Sequence, residues 1–227
     1  MDAPTSRPMT PERFQRIRHV LDRRQPDLTV LLENVHKPHN FAAILRTADA
    51  VGLLEAHAVF AHGRLRTSLV SSSGSDRWLE VHVHRSARLG LDHLRQHGLR
   101  ILAAHPGDTT TDYREVDFTQ PTAILLGQEK DGITPQTLVA ADELVSIPMS
   151  GFVTSLNVSV AAAVLLFEAQ RQRIAAGLYA SRRLDQELYD RKLFEWSYPE
   201  LADICRRRDT PYPALSDTGE LLGDVPR

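Results

Sequence analysis

Two glycine-bounded segments follow short apolar runs and have the composition of a ligand pocket. The first spans residues 127–134 (GQEKDGIT) and the second spans residues 148–157 (PMSGFVTSLN). If the apolar runs are parallel strands, both segments lie at carboxyl ends, where open α/β sheets bind their ligands. The segments are mostly neutral and apolar, with Ser155 and Asn157 as polar side chains. Such a pocket suits an adenosine-like ligand without a polyphosphate.

The first of these segments differs from the common phosphate-binding loops. It has the two-glycine spacing of a P-loop, but Ile133 stands where the phosphate-binding lysine is required, and Lys130 lies inside the loop. The chain contains no G-x-G-x-x-G motif and no G-x-S-x-G motif. The sequence therefore argues against a P-loop NTPase, a Rossmann dehydrogenase and a Ser-His-Asp hydrolase.

A third candidate for chemistry is Arg46, in the segment NFAAILRTADA at residues 40–50. The apolar residues of this segment recur at helical spacing, and Asn40 is placed to cap the start of the helix. A long cation on an otherwise apolar helix either extends its charge into solvent or is paired. Arg46 is therefore a candidate site residue.

The histidines and the one cysteine do not form a recognisable metal motif. His36-x-x-His39 straddles a proline and His82-x-His84 alternates along a predicted strand, and neither pair has a third ligand at metal spacing. The single Cys205 excludes both a cysteine-based zinc site and an internal disulfide. We therefore expect no metal and a reducing compartment.

Alternating strands and helices position these residues. Apolar runs predict strands at 29–32, 56–60, 79–84, 100–104, 122–126 and 143–147, and helical spacing predicts helices at 40–50, 86–97, 135–141 and 157–176. Near-continuous apolar strands that alternate with helices indicate an α/β fold with a mostly parallel sheet covered on both faces. A first helix begins at Thr10 as N-cap with Pro11 in its first turn, and a further amphipathic helix is possible at 184–194.

Net charge divides the chain into three parts. The whole chain has a net charge of -2, from 27 basic and 29 acidic residues. Residues 1–27 carry six Arg against four acids, whereas the following residues to 170 carry 11 basic and 15 acidic residues. The basic residues are mainly Arg, whose planar fork suits phosphate, and they concentrate near both ends. A solvated helix surface explains the same composition equally well.

Taken together, three ordered segments resemble the SpoU branch of the SPOUT RNA methyltransferases. They are NVHKPHNFAAILRTADAVG at 34–52, ILLGQEKDGIT at 124–134 and IPMSGFVTSLNVSVAAAVLLFEAQRQR at 147–173. The flanks RRQPDLT at 23–29 and GLYASRR at 177–183 resemble the branch members that methylate guanosine 18 in the D-loop of tRNA. The resemblance implies an α/β fold with a C-terminal trefoil knot, an N-terminal helical extension (1–27), a methyltransferase domain (28–176) and a C-terminal extension (177–227).

The resemblance also implies a reaction and its participants. S-adenosylmethionine would be the methyl donor, the ribose 2′-OH of guanosine 18 in tRNA the acceptor, and a homodimer the working form. The residues matched to the family motifs fall into three groups. The catalytic group is Arg46, Asn40, Glu129, Ser155 and Asn157; the cofactor-binding group is Ala104, Gly127, Ile147 and Leu156; the RNA-binding group is Arg23, Arg24, Arg171 and Arg173.

Two alternatives remain open at this point. One is a related enzyme that methylates ribose in ribosomal RNA, and the other is an RNA-binding protein of the same fold without catalysis. The start of the chain, MDAPTSRPMTPERFQ, has no apolar segment, and the longest nearly apolar run, 158–167, is too short to span a membrane. We therefore expect a cytoplasmic protein without a membrane partner.

Overall fold

A computed structural model of the chain describes residues 9–60, 78–107, 109–128 and 131–222. The chain divides into two compact units. The first, which we call the terminal unit, combines Met1–Arg24 with Ser181–Arg227, and the second, the sheet unit, comprises Gln25–Ala180. Among the described residues no helix is both long and apolar enough to cross a membrane.

The described part of the sheet unit alternates strands with helices along the chain. Its strands are β1 (Leu28–Glu33), β2 (Glu55–Val59), β3 (Glu80–His84), β4 (Arg100–Ala104), β5 (Thr111–Asp112), β6 (Thr122–Gly127) and β7 (Glu143–Ser146). Its helices are α2 (Pro38–Ala50), α3 (Ala87–Gln96), α4 (Pro135–Val139) and α5 (Val158–Ala175). The six predicted strands are confirmed, and β5 is an additional short one.

The seven strands form one parallel sheet with the order β3-β2-β1-β6-β4-β7-β5. Alternate residues of the interior strand β1 enter two separate cores: Val30 packs on one face and Leu31 on the other. The first core includes Phe41 of α2 and Leu165 of α5, whereas the second includes Leu91 of α3. Burial on both faces explains the near-continuous apolar strands and confirms the predicted α/β class.

The terminal unit contains helices from both ends of the chain. Helix α1 (Pro11–Leu21) packs on α6 (Gln186–Ser197), which is followed by α7 (Pro199–Arg208) and the hairpin strands β8 (Ala214–Leu215) and β9 (Leu221–Leu222). The predicted N-cap is confirmed, because Thr10 Oγ1 accepts a hydrogen bond from Arg13 N at 3.3 Å. The helix ends at Leu21, so Arg23 and Arg24 follow it instead of lying on its surface.

Candidate functional site

A cavity of about 320 Å³ lies at the carboxyl ends of three adjacent strands. Its walls come from the segment after β4, the loop after β6 and the loop after β7. We call residues 127–134 the glycine loop and residues 148–157 the serine loop. Because β6, β4 and β7 are neighbours in the sheet, loops that are distant in sequence meet at one edge. This is the edge at which the sequence predicts ligand binding.

The four predicted cofactor-binding residues all line this cavity. They are Ala104 at the end of β4, Gly127 at the end of β6, Ile147 directly before the serine loop, and Leu156 within that loop. Most of the lining is apolar or backbone. The size lies within the range of small-molecule sites. Ala104 can contribute only its backbone and a methyl group, so hydrogen bonds to a ligand at this position would come from the main chain.

The described ends of the glycine loop approach each other so closely that only glycine fits at position 127. A Cβ atom at Gly127 would lie 2.2 Å from the backbone carbon of Gly132, well inside van der Waals contact. Gly132 has a φ of +67°, in the left-handed region that favours glycine, and its N–H donates to Gln128 O at 3.0 Å. The two glycines therefore define a tight turn that forms one wall of the cavity.

Two predicted catalytic asparagines contact each other. Asn157 Nδ2 donates to Asn40 Oδ1 at 3.2 Å, which connects the serine loop to α2. Asn157 is also the N-cap of α5, because its Oδ1 accepts from Ser159 N at 2.9 Å. Asn40 is buried inside α2, whose N-cap is Lys37, so the prediction that Asn40 caps this helix is wrong.

Arg46 is exposed on α2, and its guanidinium forms no hydrogen bond or ion pair with the described residues. It lies six residues after Asn40, a rotation of about 600° along an α-helix, so the two side chains leave the helix in different directions. Arg46 does not line the cavity. Its long side chain therefore extends its charge into solvent, the first of the two possibilities that the sequence left open.

The remaining predicted catalytic residues belong to the two loops. Ser155 is exposed and lines the cavity next to Leu156. Glu129 lies in the glycine loop but outside the described residues. Sequence reasoning missed His105 and Met149, which also line the cavity. The only signal for His105 was its place directly after the β4 strand, because an isolated histidine carries no motif.

The predicted RNA-binding arginines divide into exposed and buried pairs. Arg23 is exposed, with Nη1 3.0 Å from His19 O, and Arg171 is exposed and paired with Glu168 at 2.7 Å. Arg24 is buried, and its guanidinium lies 5.0 Å from the ring centroid of Trp196. A buried cation cannot contact a phosphate without rearrangement, which corrects the prediction for Arg24.

The buried Arg173 corrects a second RNA-binding prediction. Its side chain has no exposed surface, and its five N–H groups all find acceptors within the sheet unit. Nη1 donates to Asp27 Oδ1 at 2.7 Å and to Gln25 Oε1 at 3.1 Å, and Nη2 and Nε donate to three backbone carbonyls, those of Asp27, Gln120 and Phe118. Arg173 therefore ties the end of α5 to the segment before β1.

A cluster of imidazoles lies on strands β2 and β3 and helix α3, on the side of the sheet away from β4 and β7. Glu55 Oε1 and Oε2 lie 3.3 Å from His57 Nε2 and 3.1 Å from His82 Nε2, and His57 Nδ1 lies 3.0 Å from His84 Nε2. Burial tends to raise the pKa of Glu55, but the hydrogen bonds from His57 and His82 outweigh it and hold that pKa well below its usual range.

The same cluster contains two histidines with lowered pKa values. Burial first, and then repulsion from His57, His93 and His82, lowers the pKa of His84 to about 4. Burial and the neighbouring His97 lower the pKa of His93 in the same way. In the part of the chain that the structure describes, no three His, Cys, Asp or Glu side chains are arranged to hold a metal ion.

Comparison with known proteins extends the likeness beyond the cavity. Residues 27–167 match the SpoU rRNA Methylase family, and residues 171–224 match the SpoU rRNA methylase C-terminal family. The tRNA (guanosine(18)-2′-O)-methyltransferase of Escherichia coli (strain K12) is 50% identical over 219 residues, which cover 96% of each chain. The match therefore includes both units.

Solved structures agree with these matches. The A. aeolicus TrmH/SpoU tRNA modifying enzyme is 37% identical, with a TM-score of 0.76 over 83% of this chain and 96% of that chain. The SpoU methyltransferase AviRb from Streptomyces viridochromogenes, solved in complex with the cofactor AdoMet, is 30% identical, with a TM-score of 0.60 over 68% of this chain and 59% of that one. The chain belongs to the SpoU methylase family.

Proposed function

We propose that this protein transfers a methyl group from S-adenosylmethionine to the ribose 2′-OH of guanosine 18 in the D-loop of tRNA. The observation that carries the proposal is the 50% identity, over 96% of both chains, with an enzyme named for that reaction. The matched length includes the terminal unit as well as the cavity, so it favours tRNA over the ribosomal RNA alternative. The intact Arg46, Glu129 and Asn157 argue against a protein that only binds RNA.

The cavity residues fit the proposed cofactor. Gly127 leaves no room for a side chain at the turn, and the positive φ of Gly132 disfavours one, so a ligand meets main-chain N–H and C=O groups there. Ala104, Ile147 and Leu156 offer apolar surface and backbone groups to an adenosine and a methionine chain. When bound, S-adenosylmethionine supplies an electrophilic methyl group on a sulfonium. The ribose hydroxyl must approach it in line, so positioning accounts for much of the rate.

Arg46 is proposed to stabilise charge at the acceptor. A ribose hydroxyl is a poor nucleophile until its proton is removed or hydrogen-bonded. A guanidinium keeps its proton at neutral pH and is therefore a poor general base. Its exposed position on α2, without a partner in the described chain, leaves its N–H groups available to the 2′-oxygen and the adjacent phosphate. Another group or water then accepts the proton.

The remaining predicted catalytic residues are proposed to orient these partners. The hydrogen bond from Asn157 to Asn40 holds the serine loop against α2, so it fixes Ser155 relative to the helix that carries Arg46. Glu129 is proposed to orient Arg46 or the ribose, since a carboxylate can hold a guanidinium fork in one direction. Ser155 is proposed to shape the acceptor side of the cavity.

Cationic residues outside the cavity are proposed to bind the tRNA backbone. Arg23 and Arg171 are exposed and can exchange their present partners for phosphate oxygens. We assign this role to the extensions 1–27 and 177–227 together with Arg171 near the end of α5, and the catalytic role to residues 28–176. A tRNA substrate also implies that the protein acts in the cytoplasm.

A homodimer is the proposed working form, with the trefoil knot that the family resemblance implies. Helix α5 exposes Val160, Phe167 and Ile174 at seven-residue spacing, so these side chains share one face. Phe152 and Val153 of the serine loop are exposed as well. Exposed apolar surface of this extent is typical of an interface. A second subunit would cover it and double the number of arginines that face the RNA.

The class of RNA substrate tests the proposal. Purified protein is first titrated with S-adenosylmethionine, and binding is expected. Transfer of labelled methyl groups is then compared between total tRNA and total ribosomal RNA, with Arg46→Ala as the control for a contaminating activity. Label in tRNA alone, lost in the variant, supports the proposal. Label in ribosomal RNA alone identifies the sibling activity, and an absence of cofactor binding identifies a non-catalytic RNA-binding protein.

A further inference from the structure

Glu33, the last residue of the interior strand β1, is a buried carboxylate that the mechanism does not use. Its exposed surface is 3%, and it forms no ion pair with a described residue. Burying a carboxylate is costly unless hydrogen bonds compensate. The position of this one, at the edge of the sheet that carries the cavity, therefore raises the question of what its charge holds in place.

Within the described residues, its side-chain hydrogen bonds go to the last residue of the glycine loop and to the first turn of α4. Glu33 Oε2 accepts from Thr134 N at 2.9 Å, and Oε1 accepts from Thr134 Oγ1 at 3.0 Å and from Thr137 Oγ1 at 2.8 Å. Thr134 is the last residue of the loop and the N-cap of α4, and Thr137 lies in the first turn of that helix. One carboxylate thus satisfies three donors at the point where the loop returns to the sheet.

The backbone of the same residue holds the beginning of the loop. In the pairing of β1 with β6, Glu33 lies opposite Gly127, the first residue of the glycine loop. Between the two ends, Gly132 N donates to Gln128 O, and the backbone at Gly132 and Ile133 approaches Gly127 closely. Glu33 therefore fixes both ends of the loop, one through the strand pairing and the other through its side chain.

We propose that Glu33 is a positioning residue that holds the described parts of the glycine loop, residues 127–128 and 131–134, in the conformation that binds the cofactor. The proposal deepens the proposed function and rests on it, because the loop forms one wall of the proposed S-adenosylmethionine site. Charge-assisted hydrogen bonds are stronger than neutral ones, so a carboxylate holds the loop end better than an amide would. If the loop populates its binding conformation for only a fraction of the time, the apparent cofactor affinity falls to that fraction of its intrinsic value.

The test compares Glu33 with a buried polar residue of the same strand. Thr29 is 1% exposed, and its Oγ1 donates to Glu55 O at 2.8 Å, at the opposite end of β1. Glu33→Ala is expected to weaken S-adenosylmethionine binding, measured by calorimetry, by about tenfold or more, the equivalent of one charge-assisted hydrogen bond. Glu33→Gln is expected to lie between Glu33→Ala and the wild type. Thr29→Val is expected to lower the thermal stability without changing cofactor affinity.

Steady-state kinetics separate positioning from a general loss of structure. The Glu33 variants are expected to raise KM for S-adenosylmethionine and to leave KM for tRNA unchanged, a split that a merely structural defect would not produce. If Glu33→Ala does not fold, Thr137→Val removes one of the three hydrogen bonds to Glu33, together with the contact between the Thr137 and Thr134 hydroxyls, and is expected to raise the same KM. Unchanged cofactor affinity in Glu33→Gln and Thr137→Val, or an equal loss in Thr29→Val, overturns the inference. A wild-type protein that does not bind S-adenosylmethionine would overturn the proposed function itself.

Discussion

Replacing Arg173 by Ala should destabilise the sheet unit and leave the tRNA contact intact. The guanidinium is fully buried, and its removal takes away one donor each from Asp27 Oδ1, Gln25 Oε1 and three backbone carbonyl groups. Removing one member of a buried ion pair costs about 3–5 kcal/mol. Because Asp27 is 19% exposed, water reaches part of its carboxylate, and we expect a loss of about 3 kcal/mol, at the lower end of that range.

Thermal unfolding measures this loss. For a domain of about 150–250 residues, 1 kcal/mol corresponds to a shift of roughly 2–4 °C, so Arg173→Ala should lower Tm by roughly 6–12 °C. Arg171 provides the matched control, because it lies two residues earlier on α5, is 66% exposed and pairs with Glu168. An exposed pair contributes about 0–1 kcal/mol, so Arg171→Ala should change Tm little.

Binding to tRNA, measured well below the lower Tm, should be weakened by Arg171→Ala and not by Arg173→Ala, the reverse of their effects on Tm. Arg171→Ala should weaken binding and reduce the slope of log K against log salt concentration by about 1, the effect of one lost phosphate contact. Arg173→Ala should bind as the wild type does. An Arg173→Ala protein with wild-type Tm and a selective loss of tRNA affinity would refute the reasoning, because it would place this guanidinium at the RNA surface.

Three further predictions follow from the site and from the imidazole cluster. Gly127→Ala places a Cβ 2.2 Å from the backbone of Gly132, so it should abolish S-adenosylmethionine binding in a titration, whereas Gly151→Ala, which meets no atom within 4 Å, should not. Arg46→Lys should retain part of the methyl-transfer rate with an unchanged pH profile if charge stabilisation is the role; a new ionisation in the profile would favour a general base. The free energy of unfolding, measured by denaturation, should fall as the pH drops from 6.5 towards 4, because His84 takes up a proton in the unfolded chain but stays neutral in the folded one. After allowance for solvent screening, this loss is on the order of 1 kcal/mol. Below pH 4.5 the unfolded chain also protonates Glu55, whose pKa is lowered in the folded state, and this adds to the loss. A free energy of unfolding that does not change between pH 7 and 4 would contradict this pH prediction.

Much of the sheet unit could be predicted because its strands are buried on both faces. A strand such as β6 must be apolar at nearly every position, and this signal is local. Strand order is not local, and β5 has only two residues, so neither could be read from the sequence. Helix α7 was missed because its buried stripe consists only of Leu201, Ala202 and Cys205 between charged residues.

In the site, too, features that depend on neighbouring residues could be predicted, and those that depend on distant residues could not. Residues of the glycine and serine loops could be assigned because each follows a buried strand, and the cavity brings them together. Arg173 was misassigned because its burial depends on Asp27, 146 residues earlier in the chain. Asn40 was misread as a cap because its true partner, Asn157, lies 117 residues later. Spacing along a helix cannot reveal such partners.

The most direct test of the proposed function is to locate the transferred methyl group. Purified protein, S-adenosylmethionine and an unmodified tRNA transcript are incubated, and nuclease fragments are mapped by mass spectrometry. We predict one added methyl group, on the ribose of guanosine 18, and its absence with Arg46→Ala. A methyl group on a base, on another nucleotide, or still present at full yield in the Arg46→Ala reaction would contradict the proposed reaction.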